Sequence, residues 1–336
     1  MRWKVKAMNK RLLWLLTFIF LTAGTFAEAQ QPKKIPRIGF VTGSGEPNNP
    51  EPNVEAFRQG LQSLGYIEGK NIFVEYRYPE GKLDRIPSLV AELVQLKVDV
   101  FVSPSLSAIL AAKQATKTIP IVMLINGNPV ELGIIDSLAR PGGNITGITR
   151  FNRELSGKRL ELFKEVAPGI SHVGVLIEAA ETTGSGGALE VYEAAARGLK
   201  IRLTALKVSG PNPDLEGAFR DAAKGRVNGL ITARAGLLFR YRKKIADLAI
   251  KNRLPSMFEG SDFVEAGGLV SYASNDSDQY KRAAIYVDKI LKGAKPVDLP
   301  VEQPKKFEFI INLKAAKEIG LTIPPNVLAR ADKVIR

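Results

Sequence analysis

The chain has no cysteine and a single histidine. The first absence excludes disulfides, thiolate metal sites, a cysteine nucleophile and the lipid anchor that bacteria attach to a cysteine at a cleavage site. The second excludes any multi-histidine metal centre. The one imidazole, His172, sits just before an apolar strand and reads as structural. Enzyme signatures are missing too. There is no G-x-S-x-G, no H-E-x-x-H and no Walker loop, and Gly39 with Gly43 does not make a dinucleotide fingerprint. Residues 183–187 are rich in glycine but lack the Walker lysine. No metal, no cofactor and no catalytic residue are therefore expected. Beyond the first thirty residues no apolar run reaches the 20 or so residues that a membrane-spanning helix needs.

What is present starts with the amino terminus. Arg2, Lys4, Lys6, Lys10 and Arg11 precede an apolar run from Leu12 to Ala23, followed by Ala27-Glu28-Ala29. A basic start, a short apolar middle and an A-x-A end predict a secretory signal peptide over residues 1–29. A soluble periplasmic product beginning near Gln30 follows. Such a product keeps about 307 of the 336 residues, enough for one large or two medium domains. Of the formal charge of +14, five basic residues and Glu28 fall in the signal, so about +10 remains. The basic residues are scattered, and even the dense run Arg240–Lys244 lies on a predicted helix. They read as solvated faces, and nucleic acid is not an expected partner.

Short apolar strands alternate with amphipathic segments along most of the chain. Strands are expected at Arg37–Val41, Asn71–Tyr78, Val98–Val102 and Ile119–Leu124, with helices at Val54–Leu64, from Asp84, at Ser105–Thr116 and at Val130–Ala139. The pattern then restarts. Strands at Val173–Ile177, Arg202–Val208, Gly229–Thr232, Pro255–Phe258 and Gly268–Tyr272 interleave with helices at Leu155–Val166, Leu189–Gly198, Asp214–Ala223 and Leu237–Lys251. A helix over Asp276–Leu291, a strand over Phe307–Ile311 and a short helix over Lys314–Ile319 close the chain. This is an α/β pattern of two halves, each a parallel sheet covered by helices on both faces.

Several stretches carry a more specific signal. They are Glu55-Ala56-Phe57-Arg58-Gln59-Gly60-Leu61, Leu64-Gly65-Tyr66-Ile67-Glu68-Gly69-Lys70-Asn71-Ile72 and Leu138-Ala139-Arg140-Pro141-Gly142-Gly143-Asn144-Ile145-Thr146-Gly147. Phe263 with Glu265 to Tyr272, Ile310 to Lys314 and Gly320 to Pro325 belong with them. Together they resemble the ABC transporter substrate-binding proteins that include the tryptophan- and tyrosine-binding proteins. The resemblance covers nearly the whole mature chain. It implies a type I periplasmic-binding-protein-like fold: two doubly wound parallel-sheet lobes, a multi-strand hinge and a ligand cleft between them. By analogy lobe 1 is residues 35–146 plus 276–291, and lobe 2 is residues 147–271 plus 299–336. The implied function is an exported receptor that delivers a small organic ligand, such as an amino acid or related carboxylate, to an ABC permease in the inner membrane. A monomer is expected. The alternative is a periplasmic sensing module that presents its closed form to a membrane receptor; a neighbouring permease and ATPase gene pair would discriminate the two.

Ligands in such sheets bind beyond the carboxyl ends of the strands. In the first half those loops hold Thr42 and Ser44, then Ser103, Ser105 and Ser107 at a helix start, then Asn126 and Asn128. The serine loop offers hydroxyls and free backbone N–H groups to a carboxylate; the alternative for Ser105 is a helix cap. The resemblance implies an aspartate before Pro129, a counter-charge for an ammonium group, and here the residue is Asn128. Its alternative role is to shape the turn. In the second half Thr232, Arg234, Glu259 and Tyr272 are the candidates. Arg234 could clamp a carboxylate, Glu259 could supply the missing negative charge, and Phe258 and Tyr272 could cover an apolar group or belong to the core and hinge.

Overall fold

Strands buried on both sides need helices above and below them, and the chain supplies both. The computed structural model describes residues 34–43, 46–48, 52–150, 155–179, 189–233 and 235–336. The expected signal peptide, Ser44, the glycine-rich residues 183–187 and Arg234 lie outside the described residues. The first sheet contains β1 (Arg37–Val41), β2 (Phe73–Arg77), β3 (Val100–Ser103), β4 (Ile121–Ile125) and β5 (Ile145–Thr149), all parallel, in the order β2-β1-β3-β4-β5. Alternate residues face opposite layers. Ile38, Phe40, Val100 and Val102 pack with helices α1 (Pro52–Ser63) and α10 (Asp276–Leu291). Val41, Phe101 and Met123 pack with α2 (Ile86–Gln95) and α3 (Leu106–Ala115).

The second sheet contains β6 (His172–Glu178), β7 (Arg202–Val208), β8 (Gly229–Thr232), β9 (Ser256–Phe258), β10 (Val270–Ser274), β11 (Phe307–Asn312) and β12 (Lys333–Ile335). Their order is β12-β11-β10-β9-β8-β6-β7, and only the β10–β11 pair is antiparallel. One face is covered by α4 (Ser156–Val166), α5 (Glu190–Gly198) and α11 (Leu313–Ile319). The other is covered by α6 (Leu215–Lys224), α7 (Gly236–Arg240), α8 (Arg242–Lys251) and α9 (Ser261–Glu265). The two doubly wound lobes expected from the pattern are thus present.

The chain passes between the lobes three times: from β5 to α4, from β10 to α10, and from Glu302 to β11. The crossings are tied together. Glu302 pairs with Ile148, and its backbone exchanges hydrogen bonds with Gly147 and Thr149 at 2.9 and 3.0 Å. Gly147 has φ +136°, and a Cβ there would lie 2.2 Å from the Met123 carbonyl oxygen, so only glycine fits.

Two sequence expectations need correction, and one strand was not expected. Val130–Ala139 is not a helix. It makes one turn, with Leu132 N–H bonded to the Asn128 carbonyl, and ends at Gly133, whose φ of +62° leaves the helical region. The helix expected over Leu237–Lys251 is two helices, broken at Tyr241 (φ −97°, ψ 15°). The phenol there donates to the Pro211 carbonyl at 2.6 Å, which holds the break. Finally, the strand β5 carries no strong sequence signal: its five residues, Ile-Thr-Gly-Ile-Thr, include a glycine.

Candidate ligand cleft

The carboxyl ends of the strands collect polar residues in both lobes. Three of the expected ones are engaged in holding the first sheet together. Thr42 is fully buried, and its hydroxyl donates to the Arg77 carbonyl at 3.3 Å. The Ser103 hydroxyl donates to the Val41 carbonyl at 2.8 Å and accepts the Ser105 N–H at 3.0 Å. Ser105 is the N-cap of α3, accepting from Ala108 N–H at 3.4 Å. Ser107 is exposed on the first turn of that helix. Asn128 shapes its turn: its side-chain oxygen accepts the Val130 N–H at 3.1 Å and its amide donates to Glu131 at 3.0 Å.

Asn126 points elsewhere. It follows β4, and its Oδ1 accepts from Arg150 Nη1 at 3.1 Å. Arg150 follows β5, in register beside it, since Ile125 pairs with Thr149. The Arg150 side chain is only 4% exposed. Asp276, equally buried, opens α10 just after β10 and stands 3.6 Å from Arg150 Nε. The guanidinium also lies 5.4 Å from the Tyr280 ring centre. Sequence reasoning missed Arg150 and Asp276. The rule that selected Arg234, an arginine directly after a parallel strand, would have selected Arg150 had β5 been read.

The second lobe has its own buried charge pair. Arg159 on α4 is fully buried. Its Nε donates to the Tyr272 carbonyl at 2.7 Å, and Nη1 lies 3.5 Å from Glu259, just after β9. Tyr192 donates to the same Glu259 oxygen at 2.6 Å. Burial, and then the Glu259 carboxylate, push the Tyr192 phenol well above its usual range, so it stays a donor. Glu259 therefore faces a cation of its own lobe. The Tyr272 ring packs 6.0 Å from Phe307 and 6.4 Å from Phe309. Phe258 is wholly buried and stacks on Phe263, as a core residue. Thr232, at the end of β8, is fully buried with no partner for its hydroxyl. Glu178, at the end of β6, has its carboxyl pushed up by burial, with the Leu237 N–H working against that shift.

The two lobes touch at this edge. A Cβ on Gly236, the first residue of α7, would lie 2.5 Å from the Gly43 carbonyl oxygen in the first lobe. Arg240 at the end of α7 pairs with Glu46 at 2.5 Å and lies against Gly81. In the rest of the basic run, Lys243 pairs with Asp247, Lys244 with Glu216, and Arg242 donates to the Phe239 carbonyl at 3.1 Å.

His172 lies at the other end of its sheet, the amino end of β6, and is buried. Arginine can only donate, so the 2.7 Å contact from Arg202 fixes Nδ1 as an acceptor and leaves Nε2–H to donate to Thr204 at 2.8 Å. Burial first, and the Arg202 charge second, hold its pKa below the ordinary value. This is a structural histidine. Among the described residues no three acidic or histidine side chains converge as a metal site, and no helix is long and apolar enough to cross a membrane.

Comparison with known proteins matches this fold. The profile of a family described as ABC transporter substrate binding protein aligns with residues 49–335. A tyrosine-binding protein of Clostridioides difficile (strain R20291) is 25% identical over 279 residues, 80% of this chain and 76% of that one. A conserved domain protein of Vibrio cholerae superposes with a TM-score of 0.79 at 26% identity, covering 90% of this chain and 100% of that one. The ABC domain of a Streptococcus pneumoniae protein in complex with L-Trp also gives 0.79, at 24% identity, covering 89% of this chain and 99% of that one.

Proposed function

The chain belongs to the ABC transporter substrate-binding protein family, and we propose that it is an exported, monomeric solute receptor. It captures a small organic molecule between its lobes and delivers the closed complex to an ABC permease in the inner membrane. ATP hydrolysis belongs to another protein. One observation carries the reading beyond family membership. The carboxyl ends of the two α/β sheets come into contact at Gly43 and Gly236, and each lobe holds a buried charge pair. The relatives named for tyrosine and L-Trp support an amino acid or a close chemical relative as the ligand.

Ligand contacts from both lobes favour the closed state in proportion to their differential affinity. Adding ligand should shrink the radius of gyration in X-ray scattering. A ligand at a hundred times its Kd should also stabilise the protein by about 2.7 kcal/mol, seen as a higher melting temperature. A tight ligand that leaves the scattering curve unchanged would refute capture by closure.

Export has a spectroscopic signature. Both tryptophans, Trp3 and Trp14, fall within the signal segment. The periplasmic product should begin near Gln30 and show no tryptophan fluorescence, whereas the full chain does. Amino-terminal sequencing that found Met1 on a membrane-bound product would overturn export.

A further inference from the structure

Arg150 has an unusual balance of bonds. Its side chain is 4% exposed, yet only Nη1 has a hydrogen-bond acceptor, Asn126 Oδ1 at 3.1 Å. Nε and Nη2 have none. These two nitrogens form one edge of the planar guanidinium, the edge whose N–H bonds run parallel. Parallel N–H bonds at that spacing match the two oxygens of a carboxylate. Asp276 flanks the edge with its Oδ1 3.6 Å from Nε, beyond hydrogen-bond range, so it balances the charge without closing the edge.

Leaving buried donors without acceptors is costly in a protein that has no use for them. The position explains the cost. Arg150 stands at the carboxyl edge of the first sheet, beside Asn126, at the point where the chain first crosses between the lobes. The serine loop, the other place for an anion, has its Ser103 and Ser105 hydroxyls bonded within the protein.

We infer that the Nε–Nη2 edge of Arg150 receives a carboxylate of the captured solute. The substrate class is then organic acids, amino acids included, and not sugars, polyols or simple amines. This rests on the receptor reading and narrows it. Asn126 fixes the plane of the guanidinium, and Asp276 balances its charge. A monocarboxylate brings one negative charge to that site, and its two oxygens satisfy both open donors.

The test uses native mass spectrometry of the exported protein, equilibrated with a protein-free extract of the producing cells. Three proteins are compared: the wild type, Arg150→Lys, and a neutral pair, Arg150→Gln with Asp276→Asn. The neutral pair removes both charges together, so no lone buried charge is left to unfold the protein, and its melting temperature without solute should stay near that of the wild type. The wild type should capture a compound with a carboxyl group. Its primary amide should bind at least about tenfold more weakly, because it offers one oxygen and no charge. Lysine, a point charge that cannot bond both oxygens in parallel, should lose about tenfold, and the neutral pair should capture no acid. A captured compound without a carboxyl group would overturn the inference and leave the receptor reading standing. So would equal affinity of the wild type and a folded neutral pair. A wild type that captures nothing would overturn the receptor reading and the carboxylate site with it.

Discussion

Replacing Arg159 with methionine should destabilise the protein by about 3–5 kcal/mol, the cost of removing one partner from a buried ion pair. The side chain is wholly inside the second lobe, where it joins α4 to the end of β9 and the middle of β10. Methionine fills much of the same volume. It cannot donate to the Tyr272 carbonyl, and it removes the buried cation beside the Glu259 carboxylate. Most of the loss therefore comes from a buried carboxylate deprived of its cation, and that makes a second arm decisive. Adding Glu259→Gln removes the charge while keeping an acceptor for Tyr192, so the double variant should regain a good part of the stability. Urea unfolding followed by circular dichroism reads both. A double variant less stable than Arg159→Met alone would show that the pair is not the source of the loss.

Most strands and helices of both lobes were legible because each is buried in a simple pattern. Arg37–Val41 and Val100–Ser103 are short apolar runs, and α2 places Ile86, Leu89, Val90 and Leu93 on one buried stripe. One cap was legible as well: Ser105 accepts the Ala108 N–H three residues on. What the sequence hid was local chain geometry set by distant contacts. The pattern at Val130–Ala139 is helical in composition, but Gly133 takes a left-handed conformation and the chain turns back. β5 is recognisable mainly by its neighbours, β4 and Glu302.

The site was half legible for a related reason. Position after a strand picked out Asn126, Thr232, Glu259 and Tyr272, all of which stand on the strands or strand ends near the crossing. It could not say which hydroxyls would be engaged internally. Ser103 needs β1 beside it before its hydroxyl can reach the Val41 carbonyl, 62 residues away. Nor could it pair Arg150 with Asp276, 126 positions apart and joined only by the double crossing of the chain.

The contact between the lobes gives a large functional effect. Gly236→Val should leave each lobe intact and oppose closure. The residue opens α7 with no positive φ, so a side chain is tolerated by its own backbone. Its obstacle lies in the other lobe: the new Cβ would sit 2.5 Å from the Gly43 carbonyl oxygen. That oxygen belongs to the backbone just after a buried strand and cannot swing aside as a flexible side chain would. The lobes must part to make room, and parting weakens every ligand contact that spans the cleft. Overpacking of this kind costs about 1–3 kcal/mol, or roughly five- to 150-fold in affinity. Parting the lobes relieves the clash, so the melting temperature without ligand should change little. Calorimetric titration with the captured solute, alongside X-ray scattering of the saturated protein, separates the two states. The variant should bind more weakly and stay more extended than the wild type when saturated. Wild-type affinity in Gly236→Val would mean that the Gly43–Gly236 contact is not part of the ligand-bound state, and that closure stops short of it.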